Sequence, residues 1–294
     1  MPYIGCGFAD HLIITFFAEV PHTQGMDYLS SGFSGVDRAQ DPDVFVSCLQ
    51  TLSSLPYFQH CKEKSIELLC SGGGSKMLEV GCGLGQDALA IARAAGGAGG
   101  PGYVVAIDMS KKMMENACRD GAVRLCLADA CRLPFGDGVF HAARADRVLQ
   151  HIARPKKAFS EMVRTVRDKG RVVVYEPDWG TFIISPGNRE VCRTMTRLFA
   201  DTFPCGWVGR RLPGFFREQG LENIKIEPLT FFTSDLPLAV SVFDLVNNAG
   251  RAQKMGYVSD SLVKGWLEGL KEAHRRGSFF CSYTGFLVSG EKAD

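Results

Sequence analysis

The chain has 294 residues, and its 33 Lys+Arg against 32 Asp+Glu leave a formal net charge of +1. That balance excludes a basic nucleic-acid platform and an acidic disordered tail. With 46% hydrophobic and 22% charged residues, the composition is that of a globular protein long enough for one large domain or a domain with an elaborated cap. No stretch reaches the ~20 apolar residues of a membrane helix. The apolar run 12–18 lacks a basic flank, so it reads as an N-terminal extension or a strand on the cap rather than a targeting element. Eleven cysteines, an odd number at irregular spacings with no CxxC pair, point to a reduced, cytoplasmic chain without a disulfide framework or a zinc site.

Residues 26–71 carry helical periodicity broken by Pro42 and Pro56, which predicts two or three short helices ahead of a Ser/Gly-rich break at 71–75. From Lys76 the pattern becomes strand, turn, helix, repeated. Strands are expected over 77–80, 103–107, 123–127, 140–145 and 171–175, with helices over 86–95, 111–119 and 157–166. Such alternation implies right-handed βαβ crossovers and a mainly parallel sheet covered on both faces. Beyond Trp179, helices are expected over 188–202, 210–219, 236–249 and 261–276, and strands over 223–232 and 278–289. The glycine run 96–102 reads as a plain connector. Two regions follow: an N-terminal extension and helical cap at 1–71, and a main domain at 72–294 with insertions near 180–220 and 235–277 that would cover a substrate.

The informative stretch is Leu78-Glu79-Val80-Gly81-Cys82-Gly83-Leu84-Gly85-Gln86-Asp87. A strand enters, three glycines alternate and a helix leaves, which lets backbone approach a ligand and aims free amides at it. A dinucleotide fingerprint needs glycine where Gln86 stands, and Glu79 would repel a pyrophosphate. A nicotinamide oxidoreductase is disfavoured on both counts. S-adenosylmethionine, with its ammonium, sulfonium, carboxylate and ribose, suits the turn better. Asp108 closes the second strand, where a carboxylate can accept both ribose hydroxyls, and Asp129 closes the third, level with an adenine amino group. A lone strand-ending Asp is often only a turn former. Three acids at successive strand ends beside this turn make a specific constellation.

Together these residues resemble the class I S-adenosylmethionine-dependent methyltransferases, most of all the ubiquinone/menaquinone-biosynthesis branch (methyltransferase types 11 and 25). The resemblance rests on the stretches 78–85, 107–110, 128–135, 145–151 and 170–174, in the family's order. It implies a Rossmann-like, doubly wound, seven-stranded α/β sheet of order 3-2-1-4-5-7-6, its last strand antiparallel and drawn from 279–290, under an N-terminal helical lid that includes Tyr57 and Lys62. By the same carry-over, S-adenosyl-L-methionine would have Glu79 and the Gly81 backbone at its methionine end, with Cys82, Gly83 and Gln86 also among its contacts. Asp108 would take the ribose, Met109, Asp129 and Ala130 the adenine, and Arg147 would flank the cofactor and face the substrate. Leu84 departs from the family's frequent Thr or Ser and costs a hydroxyl only.

Methyl transfer chiefly requires alignment and exclusion of water, and a general base only if the acceptor must lose a proton. His151 and Asp178 are the candidate catalytic groups, His151 alternatively packing its own turn. Tyr175, Trp179, Trp207 and Arg210 are candidate substrate contacts. Tyr175 and Trp179 alternatively form a rigid strand exit with a core Trp, the loop 203–212 with Trp207 has the turn residues to fold over a pocket, and Arg210 alternatively pairs with a surface acid. The expected activity is methyl transfer to a small-molecule acceptor at O, N or C, with no nucleic-acid partner and no membrane span. The rivals are a catalytically silent S-adenosylmethionine-binding module and an arsenite methyltransferase. The latter would need converging thiolates, and Cys61, Cys118, Cys192 and Cys205 are scattered in sequence.

Overall fold

The structure, a computed structural model, describes residues 32–72, 74, 76–96 and 103–294. The apolar run 12–18 lies outside the described residues, as does the glycine connector after Gly96. Among the described residues, a 3-10 turn (Val36–Arg38) is followed by two helices, α1 (Asp43–Ser54) and α2 (Pro56–Cys70). Pro56 starts the second because its missing N–H costs nothing in a first helical turn. The alternating part runs β1 (Lys76–Val80), α3 (Gln86–Ala95), β2 (Tyr103–Asp108), α4 (Lys111–Asn116), β3 (Val123–Leu127), β4 (Phe140–Asp146), α5 (Pro155–Thr165) and β5 (Val166–Ser185). Then follow α6 (Arg189–Asp201), α7 (Val208–Glu218), β6 (Leu221–Thr233), α8 (Leu236–Phe243), α9 (Leu245–Lys254), α10 (Asp260–Arg275) and β7 (Phe280–Lys292).

The seven strands form one sheet in the order β3-β2-β1-β4-β5-β7-β6, as the resemblance implies. The pairs among β1 to β5 are parallel, and β7 runs antiparallel between β5 and β6. Strand periodicity sends alternate side chains to opposite faces. Met77, Val104, Ala106 and Val173 pack under α2 and α3, while Leu78, Val105, Ile107, Val172 and Val174 pack against α5 and α7.

A third cluster differs in character. α6, α8, α9 and α10 pack around the far ends of β5, β6 and β7 on Trp179, Phe182, Phe199, Phe243, Trp266 and Tyr283. The single helix expected over 236–249 is two, because Asp244 takes a left-handed conformation at φ 49°. That conformation ends α8, and Asn247 Nδ2 donates to Asp244 Oδ1 at 2.7 Å across the break. β5 also runs well past its expected end at 175, with a register shift between Asp178 and Ile183. α7 packs on the sheet itself, inside the span 180–220 expected to cover a substrate.

Candidate active site

A cavity of about 560 Å³ opens at the carboxyl ends of β1, β2, β3 and β4. This is where the order of strands reverses, and a sheet of this type leaves a crevice there. Gly81, Gly83 and Gly85 all take positive φ, at 69°, 50° and 72°. At Gly81 a Cβ would lie 2.4 Å from a Val148 methyl, so both conformation and space require glycine. The turn is locked onto β2: Cys82 N–H donates to the Ile107 carbonyl at 2.8 Å, and Gly83 N–H to Asp108 Oδ2 at 2.9 Å. Asp108 Oδ1 accepts from Ser110 N–H at 2.9 Å, so the carboxylate is oriented by two amides.

Below the turn lies a buried charge cluster. Arg144, on β4 and fully buried, stands in register with Glu79 on β1. Its guanidinium reaches Glu79 Oε1 at 2.5 Å, Asp146 Oδ2 at 2.6 Å, Asp87 Oδ2 at 3.3 Å and Ser65 Oγ at 2.8 Å. Lys62 pairs with Asp87 at 2.7 Å and Arg147 with Asp146 at 2.9 Å. Three acids thus face three cations. Burial pushes the Glu79 carboxyl up to about 8 despite Arg144, with Asp87 and Asp146 adding to the rise. Breaking a buried pair costs about 3–5 kcal/mol, against about 0–1 for a surface pair, so Arg144 belongs to the framework of the site. Glu79 Oε2 is buried without a hydrogen-bond partner.

The opposite wall is the turn after β4. Glu176, buried on β5, accepts from Val148 N–H at 2.8 Å, Leu149 N–H at 2.6 Å and Gln150 N–H at 3.3 Å, and so holds the short 3-10 turn Leu149–His151. His151 closes that turn, its ring centroid 5.3 Å from Phe33 and 5.5 Å from Phe203. Arg147 takes φ 58° and stacks its guanidinium over the Phe58 ring at 4.6 Å.

Of the residues singled out in the sequence, Glu79, Gly81, Cys82, Gly83, Gln86, Asp108, Met109, Asp129, Ala130 and Arg147 all line this cavity, as do Lys62, His151 and Trp179. Tyr57, Tyr175, Asp178, Trp207 and Arg210 do not line it. Tyr175 is fully buried under α2, where its hydroxyl meets that of Tyr57 at 2.8 Å. Asp178 is buried in a two-point ion pair, with Arg210 Nε at 2.5 Å and Nη2 at 2.8 Å. Arg210 stacks on an exposed Trp207 at 5.2 Å, outside the cavity. These groups are spent on one another, which is the ion-pair alternative for Arg210. Cys61, Cys118, Cys192 and Cys205 do not line the cavity either. Phe203 and Pro204, from the loop expected to fold over a pocket, do line the cavity. Sequence reasoning missed Arg144, Phe33, Phe199, Val242 and Asp244. Only Arg144 left a signal, a charge in the middle of an otherwise apolar strand (Ala142-Ala143-Arg144-Ala145).

Residues 78–174 match the family described as methyltransferase domain. An uncharacterized 37.1 kDa protein in a transposon of Streptomyces fradiae is 34% identical over 248 residues, 83% of this chain and 70% of that one. This chain belongs to the class I S-adenosylmethionine-dependent methyltransferases. Within the family, the demethylmenaquinone methyltransferase of Bacillus licheniformis is 29% identical over 202 residues, covering 62% of this chain and 86% of its own. Phosphoethanolamine N-methyltransferase 2 of Haemonchus contortus, solved with phosphomonomethylethanolamine and S-adenosylhomocysteine, shares the fold at a TM-score of 0.55 and 17% identity. That likeness covers 92% of this chain and 61% of the other.

Proposed function

We propose that the chain transfers a methyl group from S-adenosylmethionine to a small, largely apolar acceptor. The observation that carries this reading is the pairing of two unlike halves in one cavity. Around the glycine turn lie the carboxyl groups of Glu79, Asp108 and Asp129, suited to an ammonium, a ribose diol and an adenine edge. The orphaned Glu79 Oε2 supports the first of these, since a buried acceptor without a donor is costly until a ligand supplies one. Asp108, already aligned by two amides, keeps acceptor capacity for two hydroxyls. Met109 offers its side chain to an adenine face, and Asp129 and Ala130 offer its edge.

Beyond Arg147 the lining changes to Phe33, Leu52, Trp179, Phe199, Phe203 and Val242. An apolar acceptor gains about 25 cal/mol per Å² buried there. S-adenosylmethionine supplies an activated methyl on a sulfonium. The chain's own work is then to align the acceptor and keep water out. Incubation with S-adenosylmethionine and a panel of ring-bearing phenols, thiols and amines, followed by mass spectrometry, tests this. Formation of S-adenosylhomocysteine with an equal amount of methylated product is expected. Tight binding with no turnover across the panel would instead mark a silent binding module.

A further inference from the structure

Trp179, Gln150 and His151 make a file of side chains leading to the acceptor half of the cavity. The Trp179 indole N–H donates to Gln150 Oε1 at 2.7 Å, and Gln150 Nε2 lies 3.2 Å from His151 Nε2. An indole nitrogen can only donate. It therefore fixes the amide, with the oxygen toward Trp179 and the NH₂ toward His151 and the Arg147 carbonyl at 3.4 Å. An amide NH₂ can likewise only donate, so His151 Nε2 has to accept, and the neutral ring carries its proton on Nδ1.

The file has little room to rearrange. Gln150 is 4% exposed; its backbone N–H is tied to Glu176 at 3.3 Å, and its carbonyl accepts from Cys205 N–H at 2.9 Å. Trp179 is 7% exposed and stacks on Phe203 at 5.2 Å with 15° between the ring planes. Phe203 in turn flanks His151, so the ring that packs the histidine also packs the indole that sets its proton.

We infer that Gln150 and Trp179 are positioning residues acting through His151: they hold it as the Nδ1–H tautomer with Nε2 engaged, making it a fixed polar wall of the acceptor site and not a general base. The tautomer is a property of the protein alone. Only the statement about the base rests on the methyltransferase reading, so the two can fail separately.

The experiment is long-range ¹H–¹⁵N correlation on the full chain labelled with ¹⁵N-histidine, at about pH 8, above the ordinary histidine range. The His151 signals are identified by their loss in His151→Phe. The expected wild-type pattern is neutral Nδ1–H. Gln150→Glu keeps an acceptor for the indole but presents an acceptor to the histidine, so Nε2 is expected to become protonated. An Nε2–H pattern in the wild type, or an unmoved Nδ1–H pattern in Gln150→Glu, overturns the inference. Should Gln150→Glu fail to fold, Trp179→Phe removes the donor that fixes the amide. Mixed tautomers are then expected, and an unchanged wild-type pattern overturns the relay.

Discussion

At Glu79 the sheet places a carboxylate where it has one strong partner and two competitors. Arg144 serves Glu79, Asp87 and Asp146 together, and Glu79 is the most deeply buried of the three. Its carboxyl, raised by burial from an ordinary 4.5 to about 8, binds a proton more tightly in the folded than in the unfolded chain. The folded state therefore holds more protons between those values, and Glu79's contribution to stability falls as pH rises from about 4.5 to about 8. Urea denaturation at intervals from about pH 5 to pH 8 is expected to show a steeper loss of unfolding free energy for the wild type than for Glu79→Gln. Parallel curves would contradict the assignment. The place of Glu79 beside the glycine turn was legible in the sequence, but its partner was not. Arg144 follows two alanines in a strand, where alternation alone suggests an outward-facing charge. Only the pairing of β1 with β4 sets it opposite Glu79. Asp178 and Arg210 were misplaced for a related reason. β5 continues past Tyr175, so residues expected to leave the sheet remain paired with β7.

Among the elements, the stretch Gly32–Ala39 connects the N-terminal region to the site. Asp37, in its 3-10 turn Val36–Arg38, accepts from Ser110 Oγ at 2.6 Å, Lys111 N–H at 2.8 Å and Lys112 N–H at 3.1 Å. It thereby caps α4 from outside, one step past Asp108 and Met109, while Phe33, Ser34, Val36 and Arg38 line the cavity. A helix cap is worth about 1 kcal/mol, and here that energy holds a segment against the proposed nucleoside pocket. Asp37→Ala is expected to weaken S-adenosylhomocysteine binding by roughly 5–10-fold and to speed tryptic cleavage after Arg38. Unchanged affinity with unchanged cleavage would mean that Asp37 is a surface contact only. Periodicity over 26–71 predicts helices, and the family resemblance implies that they cover the site. The latch was not legible, because a lone Asp in a Gly/Ser-rich stretch reads as a turn former, and its three donors come from more than 70 residues away.

The whole molecule divides by how far apart in sequence its determinants lie. The parallel half, with its strand ends, glycine turn and acids, was legible because each βα unit carries its own period, punctuation and functional residue within about 30 residues. The acceptor half was legible only at Trp179 and His151, which follow expected strand ends. Phe33, Phe203 and Val242 meet Trp179 only when the N-terminal segment, the stretch after α6, and α8 converge on β5, and no local pattern sets that convergence. The same contrast separates the roles proposed for the two halves: one for a shared cofactor, the other for a particular acceptor. The central claim is that the legible half binds S-adenosylmethionine. Isothermal calorimetry of wild type and Asp108→Ala with that compound tests it most directly. One equivalent is expected to bind the wild type, and the variant is expected to lose about 1–3 kcal/mol, roughly 5- to 150-fold in affinity. No binding to the wild type, or equal affinity in both, would contradict the account.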